Sequence, residues 1–241
     1  MVSLLLRCSS MLRQQLKRVV PQWIKRPVRD AVQRYRLGVA IARLLELPKG
    51  RLPGAELLEG LSRAWGNEGF SANLPFLAEV ASQAARAEAP ILECGSGLTT
   101  IILGLLAGRR GVPVHTLEQM PDWFAQISTV LQRHRIPGVQ LHLTALIEYG
   151  SFEWYEIPKV GWPSEFRLVI CDGPPNLGGR YGLLPLVGRQ LPAGAIILLD
   201  DATEAPEILV RQRWRAERPL REEVHVGPSR AYAVLTLDGA G

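Results

Sequence analysis

The chain has 241 residues, 47% of them hydrophobic, so it can bury a full core. Its net charge of +5 is lopsided: residues 1–36 hold nine Lys/Arg against the single acid Asp30, and the remainder carries 19 basic and 22 acidic residues. That acidic remainder argues against nucleic acid as a partner, and three cysteines (Cys8, Cys94, Cys171) without CxxC spacing argue against a disulfide framework or a zinc site.

In chain order, residues 1–88 read as helical. MVSLLLRCSS is too short an apolar run for a secretory signal, although its Arg-rich, acid-poor character also suits a transit peptide. The basic stretch 1–36 is a candidate for peripheral contact with an anionic membrane surface, for packing on its own domain, or for a second copy of the chain in a homo-oligomer. From Arg29 to Leu47 the apolar positions recur near helical spacing and Pro48 stops the run; a second helix opens near Pro53 with Leu57, Leu58 and Leu61 on one face. WGNEGFSANL (65–74) reads as a loop, and a further helix runs to about residue 87.

After Pro90 short apolar runs alternate with helical stretches. ILEC (91–94), VPVHTLE (112–118), VQLHLT (139–144), FRLVIC (166–171) and AIILLD (195–200) read as strands, with helices at 98–108, 121–134, 181–191 and 203–217. SFEWYEIPKVGW (151–162) reads as a long aromatic loop, and EEVHV and RAYAVLTL as a terminal antiparallel hairpin around Gly227-Pro228-Ser229. This alternation predicts a doubly wound, Rossmann-like α/β fold with a mostly parallel sheet, preceded by N-terminal helices. It divides the chain into a helical arm, 1–64, and a ligand-binding domain, 65–241.

Ligands of such sheets bind beyond the strands' carboxyl ends, where strand order reverses. The exit of the first strand is Glu93-Cys94-Gly95-Ser96-Gly97, whose glycines let backbone approach a ligand closely. Thr100 stands where the dinucleotide fingerprint has its third glycine. Glu118, 21 residues after Gly97, ends the second strand, where a carboxylate can accept ribose hydroxyls. Asp172 ends the fourth strand, and Asp200 and Asp201 the fifth.

Together, LECGSGLTT, HTLE, FRLVICDGPP and LPAGAIILLDDA resemble the motifs of the class I S-adenosylmethionine-dependent methyltransferases over residues 65–237. The unpaired cysteines suit reducing, cytoplasmic surroundings; the resemblance implies S-adenosylmethionine as cofactor. Gly95, Ser96 and Gly97 would face its methionine part, with Glu93 near the amino group. Glu118 would hold the ribose, Ala145 and Leu146 would line the adenine, and Asp172 would lie beside the cofactor. Carboxylates suit a cationic sulfonium and repel a pyrophosphate. By likeness to catechol-type and sugar O-methyltransferases, Asp172, Asp200 and Asp201 would also hold a divalent metal such as Mg2+, and the acceptor would be a hydroxyl of a small molecule or glycan.

This chain departs from those relatives at Pro174 and Pro175, where a basic or acidic residue commonly serves as base. Asp172, Asp201 and Arg180 are the remaining catalytic candidates, with His115 and His142 as strand histidines of either packing or catalytic use. Arg180 is placed either to bind an anionic group of the acceptor or to pair with Asp172 or Asp201. WGNEGFS and EWYEIPKVGW would flank the pocket, with Trp154, Tyr155 and Trp162 available for stacking. Two other classes stay open at this stage: a non-catalytic cofactor-binding or membrane-docking protein, and a nicotinamide-dependent oxidoreductase.

Overall fold

The apolar runs beyond Pro90 pair edge to edge, with helices linking most of them. The computed structural model describes residues 22–66, 72–175, 179–227 and 230–238. The strands are β1 (Ile91–Cys94), β2 (Val114–Glu118), β3 (Val139–Leu143), β4 (Leu146–Glu148), β5 (Glu153–Tyr155), β6 (Leu168–Cys171), β7 (Ile196–Leu199), β8 (Leu220–Val226) and β9 (Ala231–Leu237). Seven form one sheet in the order β3-β2-β1-β6-β7-β9-β8; β4 and β5 make a separate antiparallel ribbon. The first five strands of that order are parallel, and β9 runs antiparallel to both neighbours. The doubly wound sheet with its terminal hairpin is thus as the sequence predicts.

Among the described residues seven α-helices accompany the strands: α1 (Gln22–Glu46), α2 (Ala55–Trp65), α3 (Leu74–Arg86), α4 (Leu98–Leu106), α5 (Pro121–Arg133), α6 (Leu183–Val187) and α7 (Ala205–Glu217). All nine residues of α4, LTTIILGLL, are buried, as expected of a helix apolar on every side. Asn73 caps α3: its Oδ1 accepts from the Phe76 amide at 2.8 Å. Pro121 and Pro206 lie in the first turns of α5 and α7, where no amide is needed.

Each face of the sheet carries its own core. On one, Ile91 and Ile170 pack with Leu37, Ile41 and Leu44 of α1, Leu58 and Leu61 of α2, and the apolar faces of α3 and α4. Residues 37–65 therefore share a core with the sheet. On the other face, Leu92, Cys94 and Cys171 pack with Trp154, Tyr155, Phe166 and Trp214.

Residues 151–162 depart from the loop expectation. Glu153–Tyr155 pairs with Leu146–Glu148, and Trp154 and Tyr155 are both fully buried. Burial of two large aromatic side chains in sequence favours the ribbon over an open loop. The first helical stretch, 1–21, and Asn67–Ser71 of the predicted loop fall outside the described residues, as do Pro228 and Ser229 of the hairpin turn. Among the described residues no helix is long and apolar enough to cross a membrane.

The chain turns back between β3 and β6, so β1 and β6 form the switch point. Their exits are level: Cys94 pairs with Cys171, and the Asp172 amide donates to the Cys94 carbonyl at 3.0 Å. Gly95 has φ +87°, and a Cβ there would lie 3.2 Å from the Gly173 nitrogen and 3.3 Å from the Asp172 carbonyl carbon. Gly95→Ala is therefore expected to cost about 1–3 kcal/mol of stability, read as a lower urea midpoint at unchanged m-value.

Candidate active site

Five strand exits form one rim. Gly95 donates to the Leu117 carbonyl at 3.0 Å, Thr144 to Glu118 at 2.9 Å, and Asp200 to Cys171 at 3.2 Å. Above it opens a cavity of about 720 Å3. Gly95, Ser96, Glu118, Met120 and Trp123 line one end; Asp172, Arg180, Asp201, Glu204, Glu207 and Arg230 line the other; Tyr155, Gly173 and Pro175 lie between. The size lies within the range of small-molecule and cofactor sites.

The glycine loop is tied down from behind. The Gly97 amide donates to Thr100 Oγ1 at 2.8 Å, and that hydroxyl donates to Glu93 Oε2 at 2.7 Å. Thr116 Oγ1 donates to the same oxygen at 2.8 Å. Glu93 is fully buried and does not line the cavity; burial, against the hydrogen bonds from threonine hydroxyls, pushes its carboxyl up to about 7. The front of the loop leans on Glu118. Glu118 Oε2 accepts from the Ser96 amide at 3.1 Å and hydroxyl at 2.6 Å, and Oε1 accepts from the Met120 amide at 2.8 Å. Trp123 Nε1 donates to the Ser96 carbonyl at 2.6 Å.

At the other end carboxylates gather round one guanidinium. Arg180, its side chain 7% exposed, lies 3.3 Å from Asp172, 3.4 Å from Asp201 and 3.5 Å from Glu207, and donates to the Asp200 carbonyl at 2.5 Å. Arg230 adds a second cation 3.5 Å from Asp201. Burial, then the charge of Asp200, raises Asp172 to about 8, with Arg180 opposing. Burial and the neighbouring Asp201 raise Asp200 to about 6. Neither carboxylate oxygen of Asp200 has a hydrogen-bond partner among the described residues. One oxygen from each of Asp172, Asp200 and Asp201 falls within 4.8 Å of the others, a hard-donor set of the kind that suits a divalent cation. Asp201 itself adopts φ +55°, a left-handed conformation that aspartate tolerates better than most residues.

The structure thus brings Gly95, Ser96, Glu118, Asp172, Arg180 and Asp201 to one cavity, with Gly97 and Asp200 adjoining it. Of the two uses open to Arg180, the ion pairs with Asp172 and Asp201 are present. Ala145 and Leu146 do not line the cavity: Ala145 is exposed, and Leu146 opens β4 and packs towards the core. His115 and His142 stack at 5.4 Å, with Nδ1 and Nε2 3.2 Å apart, against Trp162. Burial and His142 push His115 down to about 4, so the pair is neutral and lies away from the cavity. Trp123, Glu207 and Arg230 were not singled out as site residues, whereas Tyr155, offered for stacking, does line the cavity. Trp123 is traceable in sequence, five residues beyond Glu118 in the first turns of α5; Arg230 reaches the site through the hairpin, which pattern alone does not position.

No family model and no curated protein matches the chain. Solved structures do. The chain is similar to an O-methyltransferase from Bacillus cereus in complex with S-adenosylhomocysteine, at 15% identity over 76% of this chain and 90% of that one, TM-score 0.51. An S-adenosylhomocysteine-bound methyltransferase from Podospora anserina aligns at 17% identity over 82% and 94%, TM-score 0.52. A precorrin-6y C5,15-methyltransferase from Geobacter metallireducens aligns at 13% identity over 71% and 93%, TM-score 0.50. The fold is that of S-adenosylmethionine-dependent methyltransferases, in line with the class I resemblance of the strand-exit motifs.

Glu93 gives this site a pH signature. Its carboxyl holds a proton up to about 7 in the fold but only to its ordinary 4.5 when unfolded. The stability this contributes is complete below that lower value and is lost as pH rises through about 7. Urea unfolding of Glu93→Gln across this window is expected to show a flatter pH dependence than the parent chain.

Proposed function

We propose that this protein transfers a methyl group from S-adenosylmethionine to a hydroxyl oxygen of a small molecule or glycan. The observation that carries the reading is the charge of the cavity: Glu118, Asp172, Asp201, Glu204 and Glu207 line it against Arg180 and Arg230. A cationic sulfonium is favoured there and a pyrophosphate is opposed. When bound, the cofactor supplies an already activated methyl group, so the protein's task is chiefly to hold donor and acceptor in line.

The residues present fit that cofactor. A Cβ on Gly97 would meet nothing within 4 Å, leaving open space in front of the loop. Gly95, Ser96 and Gly97 would accommodate the methionine part, while Glu118 would accept ribose hydroxyls beside the bonds it takes from Ser96. Met120 and Trp123 would cover the base, the part first given to Ala145 and Leu146. Asp172, held up at about 8, loses its proton more readily once a cation lies beside it. Asp172 and Asp201 are then the carboxylates available to take the acceptor's hydroxyl proton, with Arg180 fixing both. An acceptor bearing an anion would meet this acidic lining unfavourably, which supports a neutral hydroxyl.

A metal-assisted variant is supported by the converging oxygens of Asp172, Asp200 and Asp201 and by the two Asp200 oxygens without a partner among the described residues. Asp172, Asp200 and Asp201 would hold Mg2+, which would lower the pKa of the acceptor hydroxyl; the Arg180 guanidinium already beside Asp172 and Asp201 competes with it.

Calorimetry with S-adenosylhomocysteine and with NAD, each with and without magnesium, tests these readings. Tighter binding of S-adenosylhomocysteine is expected, and Glu118→Ala should weaken it by about tenfold to a hundredfold, on the scale of lost charge-assisted hydrogen bonds. Tighter NAD binding would instead make the chain an oxidoreductase. Labelled-methyl assays on sugars and phenols should find turnover, and Asp201→Asn, which keeps the left-handed backbone, should lower it by roughly a hundredfold or more. Cofactor binding with no transfer to any acceptor would leave a non-catalytic binding protein.

A further inference from the structure

The N-terminal helix carries a surface that methyl transfer does not use. α1 buries Leu37, Ala40, Ile41 and Leu44 against the domain. Its opposite side presents Val32, Tyr35 and Val39, 44%, 73% and 37% exposed, at spacings of three and four that align them in one row. Beside this row run Arg29, Arg36 and Arg43, seven residues apart and all exposed. The only acids on α1 are Asp30, 3.8 Å from Arg29, and Glu46 at the far end.

We infer that this face of α1 docks on an anionic lipid surface. An apolar row flanked by arginines is the arrangement in which a helix lies in the headgroup region, its apolar side chains inserted and its guanidinium groups on phosphates. Charge complementarity selects this occupant. A second copy of the helix would set arginine rows against one another in a symmetric contact. Residues 1–21 carry Arg7, Arg13, Lys17 and Arg18 and no acid, so they are repelled by the same row and add to the attraction for an anionic surface. The inference stands apart from methyl transfer, because none of these residues lines the cavity above the strand exits.

The test is flotation of the full chain with phosphatidylcholine vesicles, with and without phosphatidylglycerol. Binding is expected only with phosphatidylglycerol and should fall as salt is raised. Arg29→Glu/Arg36→Glu/Arg43→Glu should lower the partition coefficient roughly a hundredfold, and Val32→Ser/Tyr35→Ser/Val39→Ser about tenfold. Both variants should keep the parent's urea midpoint and S-adenosylhomocysteine affinity, which separates lost docking from lost folding. Vesicle binding that neither variant reduces, no binding at all, or a dimer that the serine variant dissociates in sedimentation equilibrium would each overturn the proposal.

Discussion

Backbone meets backbone where β1 and β6 leave the sheet. Gly95 and Gly173 approach so closely that a Cβ on either would fall 3.1–3.3 Å from main-chain atoms of the other exit. This contact brings two loops of opposite winding to the same height, and the rest of the site is built outward from it. Ser96 can then reach Glu118 on one side, and Asp172 can reach Arg180 on the other. A side chain at this junction would separate the exits and with them the two halves of the cavity.

The second constraint is electrostatic. Asp172, Asp200, Asp201 and Glu207 surround one buried guanidinium, and burial holds Asp172 and Asp200 above their ordinary range. Buried carboxylates at this density are tolerated by sharing protons, by pairing with arginine, or by receiving a cation from outside. Pairing with arginine is visible within the chain. The third is what a ligand would contribute, which ties the identity of the ligand to the charge of its pocket more firmly than to the shape of the glycine loop.

Much of this was legible because parallel strands write their positions into sequence as short apolar runs, and the acids at their ends then share one rim. Glu118, Asp172, Asp200 and Asp201 could be placed this way without coordinates. Thr100 was legible only as the lack of a glycine. In the fold it is a relay, accepting from the Gly97 amide and donating to Glu93, while close approach of helix to strand falls to Gly104, whose Cβ would lie 2.8 Å from Val139. Glu93 was given to the ligand because its number suits the motif; strand alternation turns it instead to the face of Ile91 and Ile170, beneath α4. Ala145 and Leu146 were misplaced because the ribbon β4–β5 starts there, and a three-residue strand carries no period to detect.

The N-terminal helices also bear on the glycine loop. Trp123 donates from its indole to the Ser96 carbonyl, and its ring meets the edge of Trp65 at 5.8 Å. Trp65 closes α2, and its carbonyl accepts from Gln33 of α1 at 2.7 Å. A chain of three contacts thus runs from α1 to the loop at the ligand's end of β1. Each contact is a hydrogen bond or an aromatic edge with a defined geometry, so a displacement of α1 must be absorbed at Trp65, at Trp123 or in the loop itself. Residues 37–65 pack on the sheet through Leu37, Ile41, Leu58 and Leu61, and that apolar contact holds the first link of the chain in place.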